Sequence, residues 1–306
     1  IFLFLNCYAM QSKKFLTITF LTFFFSLLYF GALAQVKQPL RIIMFGAHPD
    51  DCDMDGGGTA ILFSKMGYAV KFVSVTNGDA GHQKQKGVVL AKRRLAEAKE
   101  AGRRFGVTYD VLDNHDGLLM PEPDVRLQVI RKIREWKADL VFAPRPNDYH
   151  PDHRYTGVLV QDASFMVTVP NIVPEAPALK GNPVFVYFQD RFQKPNPFRP
   201  DIAVDISSVY DQKVHALDAH VSQVYEWLPW IGHYAEKVPS DTAARKSWLH
   251  SFSRVEITPE VRASLVKWYG KEHSEKVTYA EAFEICEYGS QADDEERKRL
   301  FPMLRP

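Results

Sequence analysis

The clearest pattern in the chain is an unbroken apolar run, LRIIMFGA from Leu40 to Ala47, that gives way at once to polar residues. Gly46–Ala60 (GAHPDDCDMDGGGTA) then carries one histidine, four aspartates and three consecutive glycines. A continuous apolar run of this length predicts a strand buried on both faces. GGTAILFSKMGY follows with apolar residues at helical spacing. Ala69–Thr76 (AVKFVSVT) is β-branched and predicts a second strand, broken by Gly78 and Gly81. Gln85–Phe105 has helical periodicity ending near Gly106. YDVLDN (Tyr109–Asn114) is a short third strand, and Pro123 opens a helix through Trp136. Ala138–Pro146 (ADLVFAPRP) is a fourth strand, followed by the helical HRYTGVLVQDASFMV. Asn182–Asp190 and Asp201–Ser207 are later strands, and Val209–Tyr225 is helical.

Strands alternating with helices at short spacing predict an α/β fold: a Rossmann-like three-layer domain with a mostly parallel sheet. Ligands of such sheets sit beyond the carboxyl ends of the strands, and the polar residues after strands one, two and four fall on that edge. The expected organisation is a catalytic domain over 35–227. A mainly helical C-terminal extension over 228–306 packs on the same domain, with Cys286 in a late helical pattern.

The amino-terminal pattern is different in kind. From Met10, a basic pair (Lys13, Lys14) precedes the apolar Phe15–Tyr29 and the small-residue site Ala32–Ala34. This reads as a secretory signal peptide cut after Ala34, with residues 1–9 as upstream sequence. An uncleaved anchor is the alternative reading, because the apolar stretch nearly reaches spanning length. Cleavage implies a secreted or periplasmic protein with no stable membrane span.

The 306 residues are 46% hydrophobic with a net charge of +1, enough for one substantial core and without the basic block that nucleic acid requires. Past Ala34 only Cys52 and Cys286 remain, which is no disulfide framework.

Two clusters carry candidate chemistry. His48-Pro49-Asp50-Asp51 ends the first strand, and NDYHPDHR (Asn147–Arg154) follows the fourth, with His150 and His153 three residues apart on one side of a first helical turn. Each alone reads equally as a turn or a helix cap. Together, at two strand ends of one sheet, they can meet across the cleft. Three protein ligands with an open fourth place is the pattern of a catalytic zinc site. Nitrogen and oxygen ligation also admits other divalent first-row metals.

AHPDD (Ala47–Asp51) and HPDH (His150–His153) resemble the two signature motifs of the LmbE/PIG-L family of zinc-dependent N-acetylglucosaminyl deacetylases. TNGDAG (Thr76–Gly81), Arg94-Leu-Ala-Glu97, HDGLL (His115–Leu119) and KVHALDAHVSQ (Lys213–Gln223) are similar to further family segments, and YAEAFEI (Tyr279–Ile285) is a weaker echo. The resemblance implies that His48, Asp51 and His153 bind Zn2+, that Asp50 is the general base and that His150 stabilises the oxyanion. Asp152 is expected to orient His150 or Asp50. Arg94, Asn77 and Asp79 are expected to touch substrate, Arg94 through its planar fork of donors or else paired with Glu97. Asp53 stands where the family commonly has Glu, and Asp55 where Gly is more usual. Cys52, beside Asp51, is an alternative ligand.

Other residues have weaker readings. His82, His115 and His215 are lone histidines, and His220 positions its helix. Trp227, Trp230 and Tyr234 offer either a sugar platform or ordinary packing. The implied activity is removal of an N-acetyl group from an amino-sugar substrate. Hydrolysis of another sugar-linked amide and metal-dependent sugar binding without turnover are the alternatives.

Overall fold

A computed structural model describes residues 39–252 and 256–304. The expected signal peptide lies outside these residues. Among them, no helix is long and apolar enough to cross a membrane.

β1 (Arg41–Gly46), β2 (Ala69–Thr76), β3 (Thr108–Asn114), β4 (Leu140–Ala143) and β5 (Val184–Phe188) form a parallel array in the order β3-β2-β1-β4-β5. Each of the first four is followed by a helix: α1 (Asp51–Lys65), α2 (Gly87–Phe105), α3 (Pro123–Trp136) and α4 (Pro151–Met166). Proline opens α3 and α4, where the missing N–H has no helical partner to lose. α2 stops at Gly106, whose φ of 76° only glycine takes without strain.

Residues of β1 divide between two cores, as a strand buried on both faces requires. Ile42 and Met44 pack with α1, α2 and the later α5 (Tyr210–Leu217), while Ile43 and Phe45 pack with α3 and α4. This is the expected three-layer arrangement, and its strand order reverses direction between β1 and β4. That reversal is the switch point where open α/β sheets bind ligands.

The C-terminal part is mainly helical, as expected, with one difference. It contains α6 (Leu228–Ile231), α7 (Thr242–Phe252), α8 (Pro259–Tyr269), α9 (Lys271–Lys276) and α10 (Asp294–Leu300), but also a ten-residue strand, β7 (Ala280–Gly289). β7 runs antiparallel between β5 and β6 (Ile202–Asp205), completing a seven-stranded sheet. Cys286 therefore lies on a strand. The sequence AEAFEICEYG is rich in helix formers, and tertiary pairing overrides that preference. Cys52 and Cys286 are both free and belong to the cores on opposite faces of the sheet.

The three consecutive glycines are Gly56, Gly57 and Gly58. They do not shape the turn into α1 but lie inside it, where a Cβ on Gly57 would come within 2.6 Å of Phe105 and one on Gly58 within 2.8 Å of Ile206. Their smoothness lets α1 seat directly on its neighbours. A buried ion pair reaches the backbone at the same point. The Glu281 carboxylate accepts from the N–H of Gly58 (2.8 Å) and Thr59 (2.7 Å), in the middle of α1. Lys213 Nζ donates to Glu281 Oε1 (2.7 Å) and to the Met54 carbonyl (2.6 Å). Met54 is the i−4 partner of Gly58, so the ion pair from β7 and α5 grips the rung of α1 that the glycines leave bare.

Candidate metal centre

The turn after β1 and the connection after β4 converge at the switch point. His48 Nδ1, Asp51 Oδ2 and His153 Nε2 form a triangle with edges of 3.2, 3.5 and 3.5 Å. Donors around a tetrahedral ion at ~2.0–2.1 Å stand about 3.3 Å from one another. The three residues present therefore fit a first-row divalent ion with a fourth position open.

The atoms behind the triangle support that reading. His48 Nε2 faces Asp116 Oδ1 and Asp152 Oδ2, both at 3.3 Å, and His153 Nδ1 faces Asp148 Oδ1 at 3.2 Å. A carboxylate on the outer nitrogen fixes the tautomer and turns the other nitrogen's lone pair toward the centre. Asp51 also accepts from the His48 N–H at 2.8 Å. Burial opposes its ionisation, but His153 and His48 outweigh burial and hold its carboxyl well below the usual range. Burial likewise opposes charge on His48, yet Asp51, Asp116 and Asp152 raise its pKa. Protons and a cation thus compete for this cluster, and metal affinity falls as pH falls.

Asp50 and His150 flank the triangle. Asp50 is 6% exposed, and burial raises its pKa against the opposing pull of Arg94, whose Nη2 donates to Oδ1 at 2.9 Å. Such a carboxylate is poised nearer neutrality than a solvated one. His150 caps α4, with Nδ1 accepting from the Asp152 N–H at 3.2 Å, and its pKa is lowered by burial and by His48 and His153. With Nδ1 held as an acceptor, a neutral ring carries its proton on Nε2 and is a donor there. The His48 and His150 rings meet edge to face at 4.7 Å.

Several expected roles change. The Asp152 side chain backs His48 and accepts from Gly117 N–H (2.7 Å); it reaches His150 only through its backbone N–H. Arg94, 2% exposed, donates to Asp50, Asp116 and the Gly78 carbonyl, and Glu97 pairs with Arg93 instead. Asn77 donates to Asp113 and accepts from the Asp79 N–H, and Asp79 contacts His115 and accepts from the Asp116 N–H. Both therefore tie together the loops around the site. Cys52 Sγ points at the Met44 carbonyl in the core.

Asp116 and Asp148 were missed by the sequence reading. Each sits in a segment whose histidines drew attention first, and a carboxylate that backs an imidazole has no fixed sequence spacing. Asp53 is fully buried, accepting from Tyr109 Oη and facing His220 Nε2, each at 2.8 Å. This anchors the start of α1 to the segment after α5. Trp227 and Trp230 stack at 5.5 Å, whereas Tyr234 packs on Trp248 and Phe252.

Fold and cluster together define an α/β protein with a metal-type site at the sheet's switch point. The chain belongs to the PIG-L (LmbE-like) family, which includes named deacetylases. Residues 43–164 match the family described as GlcNAc-PI de-N-acetylase. Diacetylchitobiose deacetylase of Thermococcus kodakarensis is 31% identical over 217 residues, covering 64% of this chain and 78% of that protein. 4-Oxalmesaconate hydratase of Pseudomonas putida is 24% identical over 193 residues, covering 60% and 74%. The structure of N,N'-diacetylchitobiose deacetylase from Pyrococcus horikoshii superposes with a TM-score of 0.59 at 25% identity, covering 80% of this chain and 83% of that one.

Proposed function

We propose that the protein is a zinc-dependent hydrolase that removes an N-acetyl group from an amino sugar. The observation that carries this reading is the His48–Asp51–His153 triangle with a buried carboxylate, Asp50, and a neutral imidazole, His150, on its flanks. His48, Asp51 and His153 would hold the ion. When bound, zinc brings water toward a pKa of ~7 and polarises an amide carbonyl. Asp50 takes the proton from the attacking water and returns it to the leaving amine. His150 donates from Nε2 to the oxygen on which negative charge develops. The export signal read at residues 10–34 favours an envelope or external glycan over a cytosolic substrate.

The test pairs metal analysis with acetate release over a set of N-acetylated sugars. Stoichiometric zinc with acetate release is the expected result. Bound zinc with water addition to an unsaturated acid and no acetate release would transfer the site to hydratase chemistry instead. Retained sugar affinity without turnover would leave a binding protein. His48→Ala and His153→Ala are each expected to lose bound metal, and stoichiometric zinc in both would remove them as ligands.

Arg94 gives a separate handle. Replacing it with glutamine deletes the cation that favours ionised Asp50, so the Asp50 pKa rises further. The base is then protonated at pH values where the parent enzyme is active. The acid limb of kcat/KM for Arg94→Gln should therefore move to higher pH, and an unmoved limb would detach Arg94 from the base.

A further inference from the structure

A cavity of about 940 Å³ opens between the β5–β6 connection, β7 and the helices α8 and α10. Its walls include none of the residues of the metal-type cluster, and most of them come from beyond residue 164, outside the stretch that matches the family. The volume lies within the ~300–1,000 Å³ of sites that enclose small organic molecules.

Four basic side chains line the cavity, and each already has an acid. Arg145, 6% exposed, donates to both oxygens of Asp190 at 2.6 Å and to the carbonyls of Phe192 (3.1 Å) and Asn196 (3.0 Å). Lys267 and Arg297 share Asp294, at 2.9 and 3.3 Å. Arg199 Nε stands 3.6 Å from Asp201. The lining acids are not matched in the same way. Glu260 and Glu287 face no cation at ion-pair distance among the described residues. Glu284 accepts from the Arg199 N–H at 2.9 Å, but Arg145 stays 3.8 Å away with its donors turned to Asp190 and the carbonyls. Burial raises the Glu284 pKa against the pull of Arg199 and Arg145. A carboxylate in that condition is stabilised by a cation brought beside it.

The rest of the wall selects the kind of cation. Among the described residues, the groups spaced to hold a metal ion all contain His48, so none lies here. Tyr187 of β5 sits opposite Glu284 in the β5–β7 register, and Phe198 adjoins Arg199 in the same wall. Aromatic faces attract ammonium groups and cover an apolar body. Ser264 of α8, 7% exposed, also lines the cavity, and its hydroxyl has no hydrogen-bond partner among the described residues. A buried hydroxyl left unpaired is costly, and a ligand that donates to it relieves that cost. We propose that this cavity is a second ligand site, which takes a small organic ammonium ion with Glu284 as its counter-charge, the Ser264 hydroxyl as an acceptor, and Tyr187 and Phe198 against its apolar body.

The experiment is calorimetric titration of the zinc-loaded chain at pH 7 with three probes of one shape: benzylamine, benzyl alcohol and benzoate. Benzylamine is expected to bind at one site, about tenfold or more tighter than the other two, the scale of a charge-assisted hydrogen bond. Glu284→Gln should remove that preference. Ser264→Ala should weaken benzylamine severalfold while melting no lower than the parent, since it deletes an unpaired hydroxyl. Asp55 shares a small pocket with Asp51 and His153, so Asp55→Asn reports on amine drawn to the metal-type cluster instead. It is expected to leave the affinity unchanged. Equal affinity for the three probes overturns the proposal, and so does a benzylamine affinity that survives Glu284→Gln or falls in Asp55→Asn. If Glu284→Gln fails to fold, Ser264→Ala decides, and parent-like affinity in it overturns the assignment. None of the probes carries an amide, so the outcome is independent of the deacetylase reading.

Discussion

Asp50→Asn is expected to lower kcat for acetate release by ~10²–10⁴-fold, the usual contribution of a positioned acid–base group, with zinc content unchanged. The division of labour in the first turn after β1 dictates this outcome. In the proposed site Asp51 closes the triangle with His48 and His153, whereas Asp50 points to Arg94. Asparagine has the same shape and still accepts from Arg94, so the turn keeps its form and only proton uptake is lost. Acetate release and metal content measured on one preparation decide the matter. Parent-like turnover removes Asp50 from the mechanism, and parallel loss of zinc and activity makes it a ligand.

The largest expected effect on stability lies away from the chemistry. Glu281→Ala should destabilise the fold by about 3–5 kcal/mol, because it leaves the Lys213 ammonium buried with the Met54 carbonyl as its remaining hydrogen-bond partner among those described. That is a large share of the ~5–15 kcal/mol by which domains are stable. Lys213→Met should cost less, since the Glu281 carboxylate keeps the N–H groups of Gly58 and Thr59. Urea unfolding monitored by circular dichroism tests both the size and the order. A Glu281→Ala midpoint equal to the parent's, or a reversed order, would show that the pair is not a fixture of the fold.

Much of this architecture is legible in the sequence because burial writes itself as composition. β1 is apolar from Ile42 to Phe45, β2 is rich in β-branched residues, and helices α3 and α4 announce themselves with proline at their first turn. HPDD and HPDH are legible for a similar reason, since the residues that face one centre lie within four positions of each other in each motif. What was not legible depends on partners far apart in the chain. β7 is built from alanine and glutamate, whose local preference is helical, and its strand form comes from pairing with β5 and β6. Asp116 backs His48 from 68 positions away, and Arg94 reaches Asp50 across 44. No spacing rule encodes either contact.

The place of β7 has a consequence for how the chain is made. β6 has β7 as its neighbour in the sheet, and β5 presents an open edge on that side until β7 arrives. A ribosome delivers residues 202–205 some 75 positions before residues 280–289. Through that interval the nascent chain carries a half-finished sheet with exposed strand edges, the condition that favours off-pathway pairing between chains. Chains that terminate before Ala280 stay in that condition.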